Sequence, residues 1–133
     1  MQPDGTDSIA RPRIVGNYLQ GGGYTPELVE KATRPPIQNE ATNGLRNLRG
    51  TLAMARTRSL RSATSQFFFN VANNRELDHQ GFTPIDFGYA VFGRVLSGMD
   101  VVDRIARLPT RDTGGMEDVP AELVAITGVT IVR

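Results

Sequence analysis

Gln66, Phe68 and Asn70 alternate with Phe67, Phe69 and Val71 in the run SQFFFNVA. The two-residue period of a strand therefore puts a glutamine, a phenylalanine and an asparagine on one face. A carboxamide beside an aromatic ring suits a site that holds an apolar group while hydrogen-bonding a nearby backbone. Upstream, Leu52 and Met54 alternate with Thr51 and Ala53, and the connection between the two runs is polar and arginine-rich. Gly50 to Ala72 thus predicts a hairpin-like pair of strands with a working face.

Other chemistry is poorly supplied. His79 is the single histidine, flanked by Asp78 and near Asp86, and it reads as a loop histidine ahead of a metal ligand or base. Ser65 has no placed base, which argues against nucleophilic catalysis. The absence of cysteine excludes disulfides, thiol chemistry and cysteine-based zinc sites. Three glycines follow Gln20 without a Lys-Ser or Lys-Thr, so they predict a tight turn rather than a phosphate cradle. No metal and no cofactor are expected.

With 133 residues and 39% hydrophobic content, the chain is long enough for one compact core. No apolar run is long enough to span a membrane and no signal pattern opens the chain, so a soluble protein without a membrane partner is expected. Net charge is +1, which gives no global reason to expect nucleic acid. Between Glu40 and Glu76, however, no acidic residue accompanies Arg46, Arg49, Arg56, Arg58, Arg61 and Arg75. A solvated basic face is the plain reading, and electrostatic capture of acidic protein or RNA is the alternative.

The elements follow in order. Residues 1–12 carry no apolar period and are expected to be a flexible segment; 13–133 form the domain. Arg13 to Leu19 predicts a short strand. Tyr24 to Asn39 predicts a long surface connection with at most one helical turn from Pro26 to Lys31, and Asn39 to Leu48 a short irregular helical turn. Tyr89 to Val95 is the next strand. Ser97, with Asp100 three residues on, is the expected cap of the one clear helix, in which Met99, Val102, Ile105 and Ala106 form an apolar stripe. Thr110 to Pro120 is expected to be a flexible loop and Leu123 to Val132 a closing strand. The count is five or six strands, one helix and long loops, a β-rich domain.

The segments RGTLAMAR (Arg49 to Arg56), SATSQFFFNVANNRELD (Ser62 to Asp78) and FGYAVFGRVLSGMDVVDRI (Phe87 to Ile105), with QGG at Gln20 to Gly22, together resemble bacterial-type cyclophilins, a family of peptidyl-prolyl cis-trans isomerases. The resemblance covers about residues 18–108. It implies a closed antiparallel β-barrel capped by helices. The family's opening strands, first helix and arginine-bearing strand have no counterpart before residue 13, so the barrel is expected to be incomplete at its N-terminus. The final strand, Leu123 to Val132, is then expected to be an unpaired edge open to self-association.

The resemblance also implies a function and a site. The function is isomerisation of X-Pro bonds in polypeptides, assisting protein folding, with proline-containing polypeptides as partners. By motif, Phe68 is the floor of a proline pocket, Met54, Leu77 and Tyr89 are its walls, and Tyr18 joins them. Gln20 holds the substrate carbonyl side, Gln66 contacts the residue before proline, and the backbone of Ala55, Arg56 and Thr57 pairs with the peptide as a short strand. Arg13 is the candidate for the family's catalytic arginine, although it stands one residue closer to Gln20 than the usual spacing. Glu76 occupies a position where some members carry a tryptophan associated with cyclic peptide inhibitors, which implies weak sensitivity to them. The alternative is a catalytically weak module that binds proline peptides. A cytoplasmic location is expected, or a periplasmic one if a signal peptide precedes the start.

Overall fold

The computed structural model describes residues 13–132 except 16, 114 and 115; the segment 1–12 expected to be flexible lies outside the described residues. Five strands form one antiparallel sheet: β1 (Arg13–Val15), β2 (Tyr18–Gly21), β3 (Thr51–Met54), β4 (Phe67–Asn70) and β5 (Val91–Arg94), in the order β1-β2-β4-β3-β5. A ribbon of β6 (Thr110–Thr113) and β7 (Met116–Pro120) completes the strands, and β7 packs against β1. Among the described residues the hydrogen-bonded ladders do not close into a ring. Among the described residues the one α-helix, α1, spans Met99–Ala106, and short 3-10 turns occupy Ala41–Asn43 and Arg75–Leu77.

β4 sits at the centre because its two faces are both useful. Phe68 and Asn70 are buried on one face, while Phe67 and Phe69 alternate onto the other. On the Phe69 side α1 lays down its apolar stripe. Val102 buries against Leu19, with Phe69, Val71, Met99, Ile105 and Leu108 around them. Full burial contributes about 1.5 to 3 kcal/mol for a side chain such as Leu19 or Val102, and with the partly buried residues around them it holds an eight-residue helix too short to persist alone. Arg49 fastens the helix to the end of β4: its two terminal nitrogens meet Asp103 Oδ1 and Oδ2 at 2.8 and 2.6 Å, and one also donates to the Val71 carbonyl at 3.0 Å. Farther along the same face, Leu52, Met54, Phe67 and Phe69 line a cavity of about 620 Å³ together with Ile126 and Val129.

Several expectations need correction. Arg13 to Leu19 is a hairpin rather than one strand, because β1 folds back on β2 with Arg13 opposite Gln20 and Val15 opposite Tyr18. Ser97 does not cap α1. Gly98 does, in a left-handed conformation with φ +88° and its carbonyl accepting from Val101 and Val102. Thr110 to Pro120 is no loop but a hairpin, held by pairing of Thr110 with Pro120 and Thr113 with Met116. Leu123 to Val132 forms no strand, since it finds no ladder partner; half-buried Val124 and Ile126 lie over the apolar sheet face instead. The connection from Tyr24 to Asn39 is as expected, with no helical turn from Pro26 to Lys31 and a Tyr24–Glu30 bridge closing its first part.

Candidate functional site

Register decides which residues meet. In the β2–β4 ladder Tyr18 stands opposite Asn70 and Gln20 opposite Phe68; in the β3–β4 ladder Ala53 stands opposite Phe68. Opposed residues share a face, so Tyr18, Gln20, Phe68, Asn70 and Ala53 form one surface. Phe68 is only 2% exposed and clusters with Ala53, Ala55 and Val91, while Tyr18, Leu77 and Tyr89 pack around it half-buried. The Tyr18 ring centroid is 5.1 Å from that of Phe68 at 51°, and the Tyr89 centroid 5.8 Å at 77°. Such tilted and edge-on contacts suit aromatic quadrupoles.

Beside the rings lie two carboxamides. Gln20 Nε2 donates to Gln66 Oε1 at 2.9 Å, leaving further donor and acceptor capacity on both side chains. Gly23 makes room for this arrangement: a Cβ there would lie 2.6 to 2.7 Å from the Gln66 side chain. Ser65 donates to the Gly22 carbonyl at 2.8 Å. This sheet face thus carries a packed aromatic cluster with an amide pair at its edge.

Met54 does not belong to it. The register sets Met54 opposite Phe67, on the other face of the sheet, where it lines the cavity with Leu52 and Phe69. Alternation along β3 permits nothing else once Ala53 faces Phe68. The backbone assigned to the peptide is also partly engaged: the Ala55 amide donates to the Gln66 carbonyl at 3.0 Å and the Thr57 amide to Ser62 Oγ at 2.9 Å. Arg13 is placed by its backbone alone, across the ladder from Gln20.

A buried asparagine network lies beneath the site, and sequence reasoning missed most of it. Asn47, 1% exposed, donates from Nδ2 to the Leu77 carbonyl (3.2 Å), the Tyr89 carbonyl (3.2 Å) and Asp78 Oδ1 (3.1 Å). Asn70 donates to Asn47 Oδ1 at 3.0 Å and to Thr51 Oγ1 at 2.9 Å, and Asn74 donates to Asn70 Oδ1 at 2.7 Å. Leu77 and Tyr89, both packed against Phe68, therefore hang on one carboxamide. The only sequence signal was Asn70 in the buried phase of a phenylalanine-rich strand. His79 serves structure: Nδ1 lies 2.8 Å from the Phe87 carbonyl, and its ring packs edge-on against Phe82 and Phe87. The basic stretch is likewise divided, Arg49 going to Asp103 and Arg56 to backbone carbonyls.

Comparison with known proteins agrees with this architecture. The family described as "Cyclophilin type peptidyl-prolyl cis-trans isomerase/CLD" matches residues 7–131. Relatives include peptidyl-prolyl cis-trans isomerase A of Dickeya dadantii, 51% identical over 120 residues that make up 90% of this chain and 62% of that protein. A peptidyl-prolyl cis-trans isomerase of Acinetobacter baylyi is 54% identical over the same shares, and isomerase B of Escherichia coli is 52% identical over 89% of this chain and 72% of that one. Among solved structures, a cyclophilin-type isomerase of Cryptosporidium parvum, in the presence of the dipeptide Ala-Pro, superposes with a TM-score of 0.74. That comparison covers 96% of this chain and 76% of that one at 22% identity. The chain belongs to the cyclophilin-type peptidyl-prolyl cis-trans isomerase family. It spans 62% of the length of the Dickeya and Acinetobacter relatives.

Proposed function

We propose that the protein is a peptidyl-prolyl cis-trans isomerase acting on X-Pro bonds of polypeptides during folding. The observation that carries this reading is the single sheet face on which Phe68, flanked by the Tyr18 and Tyr89 rings, lies beside the Gln20–Gln66 pair. Rotation about a prolyl bond faces a barrier of about 18 to 20 kcal/mol and needs no acid, base or nucleophile. It needs the proline ring held while the amide twists and its nitrogen, losing resonance, gains a lone pair. Phe68 with Tyr18, Tyr89 and Leu77 serves as the holding surface. Gln20 and Gln66 address the carbonyl side and the residue before proline. Arg13, directly across the ladder from Gln20, is assigned the cation that stabilises the twisted amide. The Ala-Pro dipeptide named with the Cryptosporidium structure agrees in ligand type.

The test is NMR exchange spectroscopy on an Ala-Pro peptide with catalytic amounts of the folded chain. Accelerated cis-trans exchange is expected, and Gln20→Ala and Arg13→Ala should each reduce kcat/KM, the latter by about 10²-fold or more if it acts only on the twisted amide. A folded wild type that shifts peptide resonances without accelerating exchange would replace isomerisation by proline-peptide binding.

A further inference from the structure

Arg56 lies at the exit of β3 and spends its charge in an unusual way. Its Nε donates to the Gly88 carbonyl at 3.0 Å, one terminal nitrogen to the Thr57 carbonyl at 3.0 Å and the other to the Pro84 carbonyl at 2.6 Å. The guanidinium carbon also lies 4.9 Å from the Tyr89 ring centroid. A planar fork of donors stacked on a π-face can satisfy all these partners at once; a lysine ammonium, compact and strongly hydrated, cannot.

The carbonyls it gathers are informative. Pro84 and Gly88 bracket the loop that delivers Tyr89. That loop is closed internally by Phe87 N–H to the Thr83 carbonyl (2.9 Å) and Gln80 N–H to the Asp86 carbonyl (2.7 Å). Tyr89's main chain is fixed on both sides, its amide donating to the Leu77 carbonyl at 2.9 Å and its carbonyl accepting from Asn47. Its ring is a different matter. The ring is half-buried and reaches Phe68 edge-on, and Arg56 is the charged group stacked on it.

We propose that Arg56 is a positioning residue: its guanidinium clamps the loop from Pro84 to Gly88 and fixes the Tyr89 ring as a wall of the proline pocket. The catalytic consequence rests on the isomerase reading above, whereas the clamp itself does not. A wall that touches the proline ring equally in ground and transition states affects KM more than kcat.

Two readouts separate the parts. In peptide-free protein, labelled for NMR and confirmed folded by circular dichroism, Arg56→Ala should move the Tyr89 ring resonances and speed amide exchange at Phe87. Arg56→Lys should restore neither fully. In the peptide assay, Arg56→Ala should raise KM about five- to tenfold with kcat within about twofold, and should add nothing in a Tyr89→Ala background. Tyr89 resonances unmoved in Arg56→Ala, or losses that multiply in the double variant, would overturn the clamp. An inactive wild type with displaced Tyr89 resonances in Arg56→Ala would overturn the isomerase reading and uphold the clamp.

Discussion

Asn47→Ala tests whether the buried carboxamide network supports the pocket. The substitution removes four side-chain hydrogen bonds, but their partners do not suffer equally. The Leu77 carbonyl keeps the Tyr89 amide at 2.9 Å, and Asp78 Oδ1 keeps the Asn47 backbone amide at 2.6 Å. Asn70 retains Thr51 Oγ1 at 2.9 Å for one of its two amide hydrogens. What is stranded is the Tyr89 carbonyl and the second Asn70 hydrogen. An orphaned buried polar group costs about 1 to 3 kcal/mol, so two give a loss of about 2 to 6 kcal/mol, with water entry favouring the lower half. Against a typical domain stability of about 5 to 15 kcal/mol this is a large fraction. Urea unfolding followed by circular dichroism should show the midpoint falling by about 0.7 M or more, for a slope of about 1 to 3 kcal/mol per molar. Asn47→Asp should be worse than Asn47→Ala, because a carboxylate cannot donate to the Tyr89 carbonyl and would face Asp78. A midpoint within about 0.3 M of wild type for Asn47→Ala would refute the argument, showing that the network is dispensable.

Further predictions rest on backbone and charge. Gly88→Ala and Gly50→Ala share positive φ, +84° and +90°, yet a Cβ at Gly88 would lie 2.7 Å from the Asp78 carbonyl carbon and the His79 nitrogen, while at Gly50 it meets nothing within 4 Å. Gly50→Ala should therefore cost only the left-handed penalty of about 1 to 2 kcal/mol in thermal or urea unfolding, and Gly88→Ala clearly more. The doubly bonded Arg49 guanidinium holds the Asp103 carboxyl below the ordinary carboxylate range, against desolvation, with the charges of Arg49 and Arg107 adding. A carboxyl whose folded value is depressed contributes stability above its unfolded pKa, about 4, and loses it as pH falls through the folded value. The stability gap between wild type and Asp103→Asn should thus be present at neutral pH, shrink below about pH 4 and narrow in high salt; a gap independent of pH would show that the ion pair contributes nothing.

The sequence by itself determined the β-rich class and the strands around Phe68, because alternation along Thr51–Met54 and Phe67–Asn70 and the stripe of Met99, Val102 and Ile105 are local patterns read at fixed periods; the family came from the resemblance of its motif segments, Arg49 to Arg56, Ser62 to Asp78 and Phe87 to Ile105. It also brought Gln20, Gln66, Phe68 and Tyr89 under one hypothesis. Where it went astray, the deciding term was non-local. Met54 and Phe68 both look like pocket residues along the chain, and only the pairing of Ala53 with Phe68 sends Met54 to the opposite face. The segment from Thr110 to Pro120 reads as a loop until its two halves pair, and Leu123 to Val132 reads as a strand until no partner is there to receive its hydrogen bonds. The asparagine network and the Arg56 clamp were least legible. Polar side chains carry no periodic signal, and the side-chain partners of Asn47 are 23 or more positions away, while Pro84 and Gly88 are 28 and 32 positions from Arg56. Local periodicity fixed which residues alternate along each strand; strand register and long-range hydrogen bonds decided which of them share a face.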